Sequence, residues 1–307
     1  MEKRSWQSIR NYLAHLEPLQ PLPTKIEESW QHDPDIRACI FDIYGTLIIS
    51  ASGDIDQAEF HTSFLEEALQ MAHIDIIPAD PQLRQDALNQ MITEFRQTIS
   101  REHEKSRAAG NPYPEVVITQ IWQQVLERFQ QKGLLNIFPE SDVTACTFLF
   151  ELMSNKVYPM PHMQHVLKNL EEKGYPLGIV SNAQFYTPMI MNFFLEDELT
   201  EGTQIKHFEP QLSVYSYQMG KAKPDRALFE TLSQRLQKDY GLNPGQTLYV
   251  GNDMYKDVWP AQQAGFKTAL FAGDARSLRL RQDNPAMDNV RPDHIIRDLK
   301  RLLEIVP

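Results

Sequence analysis

Ile36-Arg37-Ala38-Cys39-Ile40-Phe41-Asp42-Ile43-Tyr44-Gly45-Thr46-Leu47 is the stretch on which the fold turns. An apolar run ends in a carboxylate and breaks at once at Gly-Thr. That pattern is a short strand delivering Asp42 to the edge of a sheet. A carboxylate so placed can attack phosphorus or carbon and form a covalent intermediate.

Downstream, further strand-like runs fall at Leu177–Ser181, Leu212–Tyr215, Thr247–Val250 and Thr268–Phe271. Most are apolar on successive residues, which suits a sheet covered on both faces. Helical patterns such as Met163–Glu172 and Ala227–Leu236 separate them. This alternation predicts an α/β fold with a parallel, doubly wound sheet.

Four polar pieces stand at the ends of four of these runs. Asp42 ends the first and Ser181-Asn182 the second. Lys223-Pro224-Asp225 opens the helix after the third. Gly251-Asn252-Asp253 follows the fourth, with Asp257 four residues beyond Asp253. The carboxyl ends of strands form the ligand crevice of an open α/β sheet, so the four pieces converge on one site. Asp42 is the candidate nucleophile. Ser181 and Asn182 can hold a phosphoryl or carboxylate oxygen. Lys223 keeps Asp42 ionised and stabilises a developing anion. Asp42 and Asp253 would repel each other without a cation, so a hard divalent ion, Mg²⁺, is expected between them. The Tyr44 backbone carbonyl is a further expected ligand, and Asn252 and Asp257 complete the set.

Each piece alone is weak, since Ser-Asn is usually a turn and Lys-Pro-Asp a common helix start. Together and in this order they resemble all four motifs of the haloacid dehalogenase-like (HAD) hydrolase superfamily, over residues 36–50 and 156–275. The resemblance implies a Rossmann-like core with an all-helical cap inserted after the first motif. It also implies an aspartyl-phosphate intermediate on Asp42.

The departures from that pattern carry information. Phosphatases of the superfamily have a second Asp where Tyr44 stands, and it serves as acid and base. A phenol of pKa ~10 is no useful base at neutral pH. Tyrosine there resembles the 2-haloacid dehalogenases, whose halide leaving group needs no proton. The fourth motif pulls the other way: the dehalogenases use no metal and resemble Ser-Ser-Asn-x-x-Asp, whereas here Asp253 brings a carboxylate and Met254 replaces the water-positioning Asn. Six residues after Lys223 the dehalogenases have Tyr and this chain has Phe229. The expected activity is therefore a Mg²⁺-dependent phosphohydrolase acting on a small phosphorylated molecule. A metal-independent 2-haloacid dehalogenase is the alternative, and a non-catalytic ligand-binding relative a third reading.

The domain reading is an arm over residues 1–35, a core over 36–50 and 156–307, and a helical cap over 51–155. In the arm, Trp6, Ile9, Leu13 and Leu16 form a short amphipathic helix, and Pro18, Pro21 and Pro23 impose an extended connection. In the cap, helical stripes fall at Phe60/Phe64/Ala68/Met71, Leu88/Met91/Ile92/Phe95/Ile99 and Val117/Ile121/Val125/Phe129. A fourth covers Thr144–Met153. Such apolar stripes are packing faces. Arg276, Arg279 and Arg281 could reach an anionic substrate, but the simpler reading is a solvated surface helix or loop.

The chain has 307 residues and a net charge of −11. That balance argues against non-specific nucleic-acid or anionic-membrane binding. The two cysteines suggest neither a disulfide framework nor a zinc site. No signal-peptide core or membrane-length apolar run is visible, so the expected setting is cytoplasmic.

Overall fold

The computed structural model describes residues 3–53, 60–199 and 201–307, without the side chains of residues 3–5. The chain divides into two compact units. One comprises Met1–Glu17 and Asp56–Lys156, the other Pro18–Ile55 and Val157–Pro307.

The first unit is helical. Its described elements are α1 (Lys3–Ala14), α2 (Thr62–Met71), α3 (Pro81–Ala108), α4 (Ile118–Gln131) and α5 (Glu140–Ser154). Asp80 caps α3 by accepting from the Gln82 and Leu83 amides, with Pro81 in the first turn, where a missing N–H costs nothing. The α4 stripe of Ile118, Ile121, Trp122, Val125, Leu126 and Phe129 is buried. Its Trp122 stacks on Phe95 at 4.4 Å and meets Phe150 of α5 edge-on at 4.9 Å. α5 is buried around almost its whole circumference, Asp142 and Glu151 included. Two expected stripes shift by one position. In α2 the buried residues are Leu65, Ala68 and Leu69, with Phe64 and Met71 only half-buried. In α3 Thr98 is buried and Ile99 half-buried.

The second unit is an α/β sandwich. Its strands are β1 (Ala38–Phe41), β2 (Ile48–Ser50), β3 (Val157–Pro159), β4 (Leu177–Ser181), β5 (Ser213–Tyr215), β6 (Thr247–Gly251), β7 (Lys267–Phe271) and β8 (His294–Ile296). Six form a sheet in the order β5-β4-β1-β6-β7-β8, with every pair parallel. The intervening helices are α6 (Met163–Glu172), α7 (Tyr186–Glu196), α8 (Ser216–Met219), α9 (Arg226–Arg235) and α10 (Trp259–Gln263). β1 is central: Phe41 pairs with Ile179 on one side and Val250 on the other. Gly178 is required in β4, because a Cβ there would lie 2.5 Å from both Ile40 Cδ1 and the Leu212 carbonyl. β2 and β3 form an antiparallel ribbon where the chain leaves the sheet and returns to it.

Residues 1–35 do not stay together as one arm. α1 belongs to the helical unit, while the proline-rich stretch from Pro18 belongs to the sheet unit. There Leu22 N donates to Asp274, Thr24 Oγ1 to the Ala272 carbonyl, and Ser29 bridges Ile295 of β8. No helix among the described residues is long and apolar enough to cross a membrane.

Candidate active site

The register of the sheet assembles the site. Asp42, Ser181 and Asn252-Asp253 leave the carboxyl ends of three adjacent strands, β1, β4 and β6. Asp42 is 6 % exposed. Its Oδ1 accepts from Ser181 Oγ at 2.9 Å and from Lys223 Nζ at 2.7 Å. Its Oδ2 has no hydrogen-bond partner among the described residues. One oxygen is therefore anchored and the other left for chemistry.

Lys223 is buried, and its three N–H bonds face four acceptors: Asp42 Oδ1, Asp257 Oδ1 at 2.6 Å, and the Val180 carbonyl and the Tyr249 hydroxyl, both at 3.2 Å. Burial works against its ammonium, but Asp257 and Asp42 outweigh it and hold its pKa above the ordinary lysine value. Burial likewise pushes the Asp257 carboxyl up to about 6, with Lys223 pulling the other way. Asp257 Oδ1 also accepts from Tyr249 at 2.8 Å, and Oδ2 from the Asn252 and Asp253 amides at 3.1 and 3.0 Å. Both oxygens of Asp257 thus serve the protein, which makes it a holder of Lys223 and of the 252–253 turn. Gly251 permits this, since a Cβ there would sit 2.5 Å from Asp257 Cγ.

Asn182 clamps the backbone of Lys223: Oδ1 accepts from its N–H at 2.7 Å and Nδ2 donates to its carbonyl. The Asn252 side chain is likewise committed, giving to the Ser277 carbonyl at 2.6 Å and accepting from Thr46 Oγ1 at 3.2 Å. Gly45 has φ +83° and presses against this pair. A Cβ there would lie 2.5 Å from Ser277 Cβ and 2.7 Å from Asn252 Nδ2. Only glycine meets both demands.

Asp253 is 4 % exposed and caps the wide helical turn Met254–Val258, accepting from the Tyr255 and Lys256 amides. A guanidinium grips the same carboxylate. Arg281 Nη2 lies 2.6 Å from Oδ2, and Nε 3.2 Å from both oxygens. Among the described residues no group of three or more His, Cys, Asp or Glu side chains is placed to hold a metal. The open Asp42 Oδ2, a carbonyl at Tyr44 and the Asp253 carboxylate fit Mg²⁺ in kind, because that ion takes one or two carboxylates and keeps several waters. Asp253 must loosen Arg281 to take part.

Residues 36–265 match the haloacid dehalogenase-like hydrolases. The chain belongs to that family, and it is a hydrolase.

Among similar proteins, pyrophosphatase PpaX of Oceanobacillus iheyensis is 24 % identical over 277 residues, covering 88 % of this chain and 97 % of the relative. Glyceraldehyde 3-phosphate phosphatase of Pyrococcus furiosus is 26 % identical over 149 residues, 48 % of this chain and 54 % of the relative. The solved 2-haloacid dehalogenase of Pseudomonas syringae pv. Tomato DC3000 superposes with a TM-score of 0.53 at 18 % identity, over 88 % of this chain and 97 % of that one. At that identity the likeness speaks for the fold.

Within this haloacid dehalogenase-like site, the departures at Tyr44 and Phe229 take definite form. The Tyr44 hydroxyl pairs with Thr187 Oγ1 at 2.8 Å, and Thr187 also accepts from the Gln184 amide. Phe229 is fully buried, and its ring meets that of Tyr249 edge-on at 5.1 Å. The phenol that reaches Lys223 therefore comes from β6. Arg281 is not part of a solvated segment, contrary to its reading in sequence. The chain after β7 runs beside Asn252 and Asp253, with Arg279 N donating to the Asn252 carbonyl and Met254 N to the Arg279 carbonyl, and this delivers Arg281 to Asp253. Thr46 of the first motif joins the site, and Tyr249, Ser277 and Thr187 do so without a sequence signal. Tyr249 comes from β6, Thr187 from the first turn of α7 and Ser277 from the loop after β7, and only the folded chain brings them together.

Proposed function

We propose that this hydrolase is a Mg²⁺-dependent phosphohydrolase acting on a small phosphorylated substrate through an aspartyl-phosphate on Asp42. The observation that carries the reading is Asp253. A second carboxylate, nearly buried at the end of β6 and holding a cation, has no place in a site that displaces halide without metal. The phosphatase and pyrophosphatase names of the relatives support the same reading.

In this account Asp42 Oδ2 attacks phosphorus, and the bond to the leaving-group oxygen breaks as the new O–P bond forms. Ser181 and Lys223 hold Oδ1, fixing the carboxylate and keeping it ionised. Bound Mg²⁺ would lie against Asp42, Asp253 and the Tyr44 carbonyl, and supplies charge neutralisation for the phosphoryl oxygens. Water then attacks phosphorus of the phospho-aspartate, releasing phosphate and restoring Asp42. Tyr44 puts no carboxyl where the leaving group would take up its proton in the first step, so the favoured substrates carry good leaving groups, such as acyl or aryl phosphates or pyrophosphate.

The test is turnover of acetyl phosphate, pyrophosphate and p-nitrophenyl phosphate, and of 2-chloropropionate, each with and without Mg²⁺. Metal-dependent phosphate release is expected. Halide release that ignores a chelator supports the dehalogenase alternative, which Tyr44 favours. Turnover of nothing supports a ligand-binding protein.

A further inference from the structure

Arg281 occupies Asp253 in the manner of a resident cation. A carboxylate offers about four lone-pair positions. Two amides and the guanidinium fork fill those of Asp253, and the pair is 31 % and 5 % exposed on its two sides. A metal ligand bond from Asp253 therefore needs a position that Arg281 holds. A dication would also stand close to a fixed guanidinium charge, in surroundings that screen it poorly. The backbone is committed to this arrangement. Arg281 has φ +52°, a left-handed conformation that a non-glycine residue adopts at a cost and that persists where its surroundings impose it. Two residues earlier, the Arg279 backbone is bonded on both sides, to Asn252 and Met254. The Arg281 side chain is 31 % exposed, far more than the carboxylate that it grips.

We propose that Arg281 is a built-in counter-cation of Asp253, which a divalent ion must displace, so that Arg281 sets the metal affinity of the site. The inference rests on the metal-dependent reading above. Without metal, Arg281 neutralises Asp253 and keeps the 252–257 turn in place. With metal, the guanidinium gives up at least the Oδ2 contact and swings outward while the loop stays fixed. Loss of the positive charge at position 281 should then tighten metal binding, even though it removes an ion pair from the protein.

The experiment is titration of substrate-free protein with Mn²⁺, read by the electron paramagnetic resonance signal of the free ion, in wild type, R281Q, R281K and D253N. R281Q should bind about tenfold more tightly or better, the equivalent of about 1.4 kcal/mol. R281K, whose ammonium keeps the charge but loses the fork, should fall between R281Q and wild type, and it serves as the test should R281Q fold poorly. D253N should bind weakly. The gap between R281Q and wild type should narrow as salt screens the competing charge. Equal or weaker binding by R281Q and R281K, with wild type binding normally, overturns the role of Arg281 and leaves the metal-dependent reading standing. Absence of binding in wild type and both variants overturns the two together.

Discussion

Asp257 holds Lys223 through a 2.6 Å ion pair in which both side chains are almost fully buried, 2 % and 3 % exposed. The same carboxylate closes the Asn252 and Asp253 amides, so it couples the general shape of the site to the placement of its lysine. Asp257→Ala should cost about 3–5 kcal/mol, the usual price of leaving one partner of a buried pair uncompensated. Urea unfolding of the variant measures it. A loss under about 1 kcal/mol would mean that Lys223 is held by Asp42 and the Val180 carbonyl alone.

Tyr249→Phe should keep the ring packing on Phe229 and remove a hydroxyl that bonds the Val180 carbonyl, Lys223 and Asp257. Hydrogen bonds to charged groups contribute about 1.5–3 kcal/mol each. Destabilisation within that range is expected in the same unfolding assay, with metal affinity unchanged.

Tyr44→Asp restores a carboxylate two residues beyond Asp42. Hydrolysis of alkyl phosphates, whose leaving group needs a proton, should rise by ~10²–10⁴-fold in kcat/KM. p-Nitrophenyl phosphate should gain little. Unchanged alkyl-phosphate turnover in a folded, metal-bound variant would show that Tyr44 does more than stand in for a missing acid.

His294 of β8 is 2 % exposed, and neither ring nitrogen has a hydrogen-bond partner among the described residues. Burial pushes its pKa below the ordinary histidine value, against Asp293 and Asp33, with Lys267 acting in the same sense as burial. The unfolded chain therefore binds the proton more readily than the folded one. Stability from this group is full above about pH 6.5 and is lost as pH falls below it. His294→Leu should flatten the dependence of unfolding free energy on pH between about 5 and 7, and urea melts across that range report it. A slope unchanged from wild type would place the titration elsewhere.

The sheet was legible in sequence wherever a run was apolar on successive residues and ended in a polar motif. β1, β4 and β6 fall where the pattern places them, because burial on both faces leaves no other use for such runs. β2, β3 and β8 were not legible. Unlike β5, which is equally short but follows the apolar Leu212, none of them stands in the regular alternation of strand and helix, and each is defined by its partner: Ile49 by Tyr158, and His294 by Ala269. The candidate site was legible as a set of residues and not as a set of contacts. Asn252 and Asp257 were expected to ligate metal, yet their side chains are spent on Ser277, Thr46, Lys223, Tyr249 and two backbone amides. No local pattern ties Arg281 to a carboxylate 28 residues earlier. Only the pairing of the loop after β7 with the turn after β6 does so. The split of the arm at Pro18 follows the same logic: the amphipathic face of α1 is visible in sequence, but the surface that receives it is not.

The central claim is that Asp42 carries the phosphoryl group during turnover. Acid-quenching the protein with acetyl phosphate and Mg²⁺ in the steady state, followed by peptide mass mapping, tests it most directly. The account predicts one phosphoryl group on the peptide containing Asp42, absent in Asp42→Asn and absent when the metal is chelated. Phosphate release with Asp42 unmodified and with Asp42→Asn as active as wild type would contradict it.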